Sequence, residues 1–369
     1  MILSKYPGLI QNEILQNMKL SDLFLLSFVS KGMKKLIKPS QNRRLKSINS
    51  IVYAADGRNP LSAFIPRKPY DDILMIFEEF EETGIPDFQL NVSGTIIDFR
   101  LCTRARNKTF RLPENEFHPY PVACVPKSDR ESVIESVHNY FLDFFGSSLQ
   151  YYWKGDEMID LHYYIPTQLQ NVSFCTFMFF GSSVANTQKL ENFFSSSPVL
   201  KSVQLFFWNS EISIKSESKF YQAESVDIEQ SDNTSADILN HFQGKQAFMR
   251  CKKCKIWDLI NFVKRWKSGK AFRKLEYLKV TVSLHEFNQI IMQNIIGVKY
   301  IDANKQPPTH TLPQVFHWDN VIGDTDPIIS HSYVVRQSDN RVASILIQGK
   351  TFSFGAWGKT EEEFLRMVN

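Results

Sequence analysis

Few residues in this 369-residue chain stand where chemistry would need them. Cys251 and Cys254 are separated by two lysines, the spacing of half a zinc knuckle or of a dithiol redox pair. A zinc site needs a second ligand pair at usable spacing, and a redox pair needs a thioredoxin-like βαβ setting; the sequence supplies neither. The pair is therefore expected to be structural, with Cys251 closing a buried strand and Cys254 entering the next helix. His138, His162, His241, His285, His310, His317 and His331 are scattered, none with a second histidine or cysteine three or four positions away. They are expected on the surface or hydrogen-bonded. Glu78, Glu79, Glu81 and Glu82 could attract a cation, but their spacing makes them the solvated face of a helix. There is no phosphate-binding loop, dinucleotide fingerprint, G-x-S-x-G elbow or H-E-x-x-H pair. The sequence thus points to no catalytic residue, no metal and no cofactor.

Composition narrows the remaining classes. A formal charge of +4 compels neither a nucleic-acid nor an anionic-membrane partner. The basic run Lys34, Lys35, Lys38, Arg43, Arg44 and Lys46 has no interleaved aromatic residue, so it reads as a solvated helix flank and linker, not a stacking platform for single strands. Five cysteines, an odd number without framework spacing, suit a reducing compartment. Lys5 is followed by no continuous apolar leader core. Apolar runs such as Phe174–Phe180 fall far short of the roughly 18 residues that span a bilayer. A cytoplasmic or nuclear place is expected. The 30 phenylalanines imply long, densely packed seams, and Trp208, Trp257 and Trp266 are expected mostly within them.

The elements that must position any site begin with three short helices. Pro7 precedes a pattern in which Ile10, Ile14, Leu15 and Met18 recur at helical spacing. Ser21 is a candidate N-cap for a second helix, Leu23–Val29, which is apolar nearly all round and must be covered on more than one side. Ser30 can cap a third helix carrying Met33, Leu36 and Ile37, and Pro39 should end it. So short a trio cannot form its own core. Its surplus apolar surface needs either the rest of the chain or another protein.

Pro7, the Ile14–Leu15 pair, the Ser21-Asp22-Leu23 turn and the Leu26–Ile37 segment with Val29-Ser30-Lys31 together resemble an F-box, with Tyr6 standing where the family usually has Leu. The resemblance implies docking on a Skp-type adaptor, and through it on a cullin, in a cullin-RING (SCF-type) ubiquitin ligase. By the same resemblance Pro7, Ile14, Leu15, Met18, Leu23 and Val29 would face the adaptor, while Leu26, Phe28 and Leu36 would hold the helices together.

Beyond Ser50 the pattern turns β-rich. The stretch 48–60 has strand-like residues and then the turn dipeptide Asp56-Gly57, residues 88–94, 95–102 and 108–113 read as strands, and a helix is expected over Tyr70–Glu82. The proline-punctuated stretch 118–126 is the expected boundary between two halves. From Tyr140 onward a helix–turn–strand order recurs, with helix ends near Phe145, Phe194, Phe242, Trp266 and Ile291. The intervals lie near one or two times about 24 residues, inside the leucine-rich-repeat range. Three alternating runs from Ser332 to Trp357, broken at Asp339-Asn340 and Gly349-Lys350, form an antiparallel meander able to cover the edge of the array.

Trp257–Phe262, Trp266, Leu275–Leu278, Arg336, Ala343–Ile345, Phe354 and Trp357 are similar to the F-box-associated (type 2) region of nematode F-box proteins. The expected fold is α+β or α/β: an F-box module over 1–48, a mixed start over 49–125, irregular leucine-rich-repeat-like βα units over 126–305 and a meander over 306–369, with the associated region at about 235–360. The resemblances imply a substrate-recognition subunit, not an enzyme, with a protein substrate that the sequence does not mark. The alternative is an interaction scaffold whose first helices merely cap a repeat array.

Overall fold

Two consecutive units, 1–174 and 175–369, each hold together through their own contacts. The computed structural model describes residues 5–56, 59–67, 71–79, 86–102, 119–126, 128–146, 148–158, 169–180, 184–208, 214–230, 235–315 and 323–368.

Unit 1 begins with α1 (Gly8–Asn17), α2 (Leu20–Val29), α3 (Lys31–Ser40) and α4 (Asn42–Lys46). Then follow β1 (Ser50–Asp56), β2 (Asn59–Ile65), β3 (Asp72–Glu79), β4 (Phe88–Val92), β5 (Thr95–Cys102), β6 (Tyr120–Val125), α5 (Arg130–Phe145) and β7 (Gln150–Met158). The strands lie in the order β7-β1-β2-β3-β6-β5-β4. β1 pairs with β7 and β3 with β6 in parallel; the other neighbours are antiparallel. Interior strands carry unbroken buried runs, such as Ile73–Phe77 in β3 and all six residues of β6. The edge strand β4 alternates, as a strand with one wet face must.

Two expectations fail here for related reasons. The helix expected over Tyr70–Glu82 is the strand β3. Ile73, Ile76 and Phe77 do fall at helical spacing, yet Leu74 and Met75 between them are equally buried. A run covered on both faces has no period to read. The boundary expected over 118–126 contains β6, an interior strand, and the chain divides instead at Phe174 and Cys175. Pro121 fits because parallel pairing with β3 starts one residue later, at Val122, so its missing N–H interrupts no bond on that side. The strand expected over 108–113 and the turn residue Gly57 lie outside the described residues.

Unit 2 runs β8 (Val172–Phe180, which carries the division), α6 (Val184–Ser196), β9 (Ser202–Trp208), a 3-10 turn (Lys219–Gln222), β10 (Ser225–Gln230), α7 (Ser235–His241), β11 (Gln246–Cys251), α8 (Ile256–Lys267), β12 (Tyr277–Val282) and α9 (Gln289–Ile296). β9, β10, β11 and β12 are sequential parallel neighbours. Their register stacks Val203, Val226, Ala247 and Leu278 in one buried row and Leu205, Ile228, Met249 and Val280 in the next. Successive helices with strands alternating at this spacing give one shared core.

The chain then adds β13 (Lys299–Tyr300), β14 (Thr309–His310), β15 (Ile328–Ile329), β16 (Ser332–Val335), β17 (Arg341–Gln348), β18 (Thr351–Thr360) and α10 (Glu361–Leu365). β16, β17 and β18 form the antiparallel meander, turning with positive φ at Asn340 and Gly349, and β18 pairs antiparallel with β12. The edge of the parallel array is thereby covered. It also explains why the segment from Phe287 adds no fifth parallel strand: β18 occupies that edge, and β13 pairs with β16 instead. No helix among the described residues is long and apolar enough to cross a membrane.

Candidate functional site

The first four helices assemble through specific ties. Pro7 directly precedes α1, and Gln11 Nε2 donates to Tyr6 O at 2.6 Å. Ser30 caps α3 by accepting from Met33 N–H at 3.1 Å, as expected from its type and place. Ser21 does not cap: Lys19 holds the N-cap position two residues earlier, α2 starts at Leu20, and Ser21 is buried within it. Nor does Pro39 end α3, which runs to Ser40; a proline in the last turn forfeits one bond while Gln41 N–H still reaches Ile37 O at 2.9 Å. The expected linker contains α4, whose Arg44 Nη1 donates to Met18 O at 2.6 Å and closes the end of α1. Burial lowers the pKa of both Lys19 and Arg44, and Asp72 on β3 opposes the shift.

α2 is sewn onto unit 1. Phe24 meets Phe141 at 4.6 Å, Tyr140 at 5.6 Å and Phe144 at 5.7 Å, all on α5. Phe28 packs on Tyr140 at 4.5 Å and on Phe99 of β5 at 6.1 Å. Tyr140 Oη donates to the Ser27 carbonyl at 2.8 Å and also lies 2.9 Å from Ser27 Oγ. Burial raises the Tyr140 pKa. Lys34 of α3 pairs with Asp143, stacks over the Tyr140 ring at 4.2 Å, and is joined by Lys38 Nζ donating to Asp143 O at 2.9 Å.

The six residues assigned to an adaptor by resemblance are therefore divided. Leu15 and Leu23 are 0% and 1% exposed, sealed by the chain itself, and cannot face a partner. The assignment is corrected for these two: Leu15 is the residue of α1 that its own chain buries, and Leu23 lies among Leu20, Phe24 and Phe28, the apolar residues of α2 that the chain covers. Ile14 and Met18 are half-buried, Pro7 is exposed, and Val29 is 59% exposed at the end of α2. Leu9 and Ile10, neither of them among those six, are 85% and 45% exposed and present bare aliphatic surface on α1. Leu9 is an apolar residue lying off the face that Leu15 defines. Among the residues expected to bind the helices together, Phe28 is buried and Leu26 and Leu36 are half-buried.

Elsewhere the chemistry-bearing residues have structural settings. Cys251 is the last residue of β11 and Cys254 lies just before α8, both buried. His138 is fully buried between Tyr53 Oη at 2.9 Å and Gln170 O at 2.6 Å, and burial lowers its pKa to about 4. The neutral ring accepts from Tyr53 at Nδ1 and donates to Gln170 from Nε2. His285 Nε2 bonds Cys254 O at 3.1 Å, His310 Nε2 bonds Ala356 O at 3.2 Å, and His241 packs on Tyr221 at 5.4 Å. His162 and His317 lie outside the described residues, as do Glu81 and Glu82; Glu79 pairs with Arg130 at 2.6 Å at the end of a strand. Trp266 is core, Trp257 is exposed, and the Trp208 side chain lies outside the described part. Among the described residues no group of three or more His, Cys, Asp or Glu could hold a metal.

The short helical module thus has a sealed aromatic underside and a bare aliphatic flank. Residues 7–45 match the F-box domain. An F-box implies binding to a Skp-type adaptor and through it to a cullin, and F-box proteins are adaptors without catalysis of their own. No curated protein and no solved structure matches the chain.

Proposed function

We propose that this chain is a substrate-recognition subunit of an SCF-type ubiquitin ligase. The observation that carries the reading is the F-box at residues 7–45 with Leu9, Ile10 and Val29 left in water on it. Pro7, Leu9, Ile10, Ile14, Met18 and Val29 contact the adaptor, while Leu15 and Leu23 shape that surface from beneath. Each exposed aliphatic side chain offers about 1.5–3 kcal/mol of gross attraction when covered. Rate enhancement of ubiquitin transfer then comes from holding a client near the ligase's other subunits, not from groups on this chain. Unit 2, with its F-box-associated-like segment at about 235–360 and its leucine-rich-repeat-like order of strands and helices, is the client-binding part.

The test is calorimetric titration of the full chain with a Skp-type adaptor, beside Ile10→Asp and Val29→Asp. Wild type binds, and each variant loses at least about tenfold in affinity, because a carboxylate is desolvated at the interface. No binding by wild type, or equal binding by all three, removes the reading.

The docking of α2 through Phe24, Phe28 and Ser27 favours a second reading, in which the helices serve as a cover for unit 1's sheet within an interaction scaffold. That reading expects no adaptor affinity, so the same titration separates the two.

A further inference from the structure

We infer that a basic cleft in unit 2 binds a peptide segment carrying oxyanion side chains. The cleft, of about 520 Å³, opens where the start of β11 and β12, the end of α8, β14 and the meander converge. Among the described residues lining it, Lys245, Arg273, Lys274, Arg336 and Arg341 are cationic and Glu276 alone is acidic. The chain as a whole is only +4, so this is a local concentration of charge, and a recess with low-dielectric walls focuses it.

The cations have distinct roles. Arg336 is 4% exposed, forks onto Asp339 at 2.8 and 2.7 Å and lies 5.0 Å over the Trp266 ring, so it builds the floor. Lys245 is engaged by Glu224 at 2.6 Å. Arg273 and Lys274 are exposed at the rim: Arg273 spends only its Nε–H, on Gly269 O at 3.0 Å, and Lys274 makes no ion pair among the described residues. Arg341 is exposed too, 3.6 Å from Asp339. Among the described residues, Lys274 Nζ and the Nη groups of Arg273 are thus left at the rim with no acceptor, and such groups bind carboxylate or phosphate well.

The walls are pre-set. Glu276 and Tyr277 N–H both donate to Lys245 O at 2.8 and 3.0 Å, Ala356 N–H donates to Glu276 O at 2.8 Å, and Gln337 N–H donates to Lys267 O at 2.7 Å. Gly269, at φ +70, lets the end of α8 approach the 336–341 hairpin; a Cβ there would meet Ser338 Oγ at 2.3 Å. A Cβ on Gly355 would meet the His310 ring at 2.7 Å, so that ring can sit flat on β18 only over glycine. A site so braced has little to reorganise on binding.

A peptide suits the cleft better than a nucleic acid. Trp266 is wholly covered and offers no face for base stacking, and half-buried Trp357 is fixed by Ser344 Oγ at 2.9 Å and by His310 at 4.8 Å, so the cleft has no row of free aromatic faces. The positive charge sits around one cleft, not along a track that would follow a sugar-phosphate backbone. Naming the bound peptide a ubiquitination client rests on the function proposed above; the binding itself does not.

The experiment is fluorescence anisotropy on the full chain, without adaptor, using a labelled glutamate-serine repeat peptide, its glutamine-serine counterpart and a phosphoserine-glycine peptide. At least one of the two anionic peptides should bind about tenfold or more tighter than the glutamine peptide, and the stronger names carboxylate or phosphate as the source. Raising salt should weaken that binding. Arg273→Glu combined with Lys274→Glu should reduce it about tenfold or more while thermal unfolding stays unchanged. The inference falls if all three peptides bind alike, if none binds, if the charge reversal has no effect, or if a single-stranded oligonucleotide displaces the peptide. Adaptor titration and peptide titration use different surfaces, so either can fail while the other stands.

Discussion

Helices α1 and α2 are each ten residues long and adjacent in the chain, yet they treat their apolar side chains in opposite ways. α2 turns Leu20, Leu23, Phe24 and Phe28 onto its own protein, where the aromatic row of α5 receives them. α1 turns Leu15 inward and leaves Leu9 and Ile10 in water. The apolar surplus at the amino end is thus divided: one part builds unit 1, and the other is free for a partner. Stability and partner binding are therefore separable by point substitution. Removing the whole segment up to Lys38 would not separate them, because it would also uncover the α5 aromatics and the sheet.

The sharpest way to break this contrast is Phe24→Ala. A phenylalanine at full burial between five aromatic neighbours leaves a cavity on truncation, with an expected cost of about 3–5 kcal/mol in urea unfolding. A cost below about 1 kcal/mol would show that α2 is not part of unit 1's core. Next in size is a pH effect in the seam beneath α5. The folded His138 ring holds its proton more weakly than the unfolded one, about 4 against an ordinary 6.5, so unfolded chains take up protons first. Stability from this group is intact above pH 6.5 and is lost as pH falls toward 4, by about 3 kcal/mol at most. Denaturant midpoints across that range should fall, and His138→Asn should flatten the slope.

Smaller still is Ser30→Ala, which removes the cap of α3 and should cost about 1 kcal/mol by thermal or urea unfolding. The smallest expected change in stability, within about 0.5 kcal/mol, belongs to Leu9→Asp. Its side chain is 85% exposed, so the unfolding curve should overlay wild type while adaptor affinity drops. Loss of both would place Leu9 in a packed interior and dissolve the difference between the two helices.

Much of the framework was legible in the residues. The helix periodicity at 140–145 and 259–266, the alternation of helices with parallel strands, and the final meander with turns at Asn340 and Gly349 all follow from local pattern. What escaped was whatever the surroundings overrode. β3 has a helical-looking spacing but is buried on both faces, and β6 carries a proline that reads as punctuation until its pairing partner is known. Ile14 and Leu15 are alike as residues, and only their neighbours distinguish them. The basic cleft was the least legible, since its lining comes from seven separate stretches of unit 2 that no spacing links.

By itself the sequence determined the cap at Ser30, the hairpin turns at Asn340 and Gly349, and an F-box at residues 7–45. These are properties of neighbouring residues: caps, turn residues, apolar periods. The tertiary structure alone decided which apolar side chains meet their own chain and which meet water, because that depends on Tyr140, Phe141 and Phe144 arriving from more than a hundred residues away. Burial is a property of the assembled surface, and a side chain's type carries only the tendency toward it.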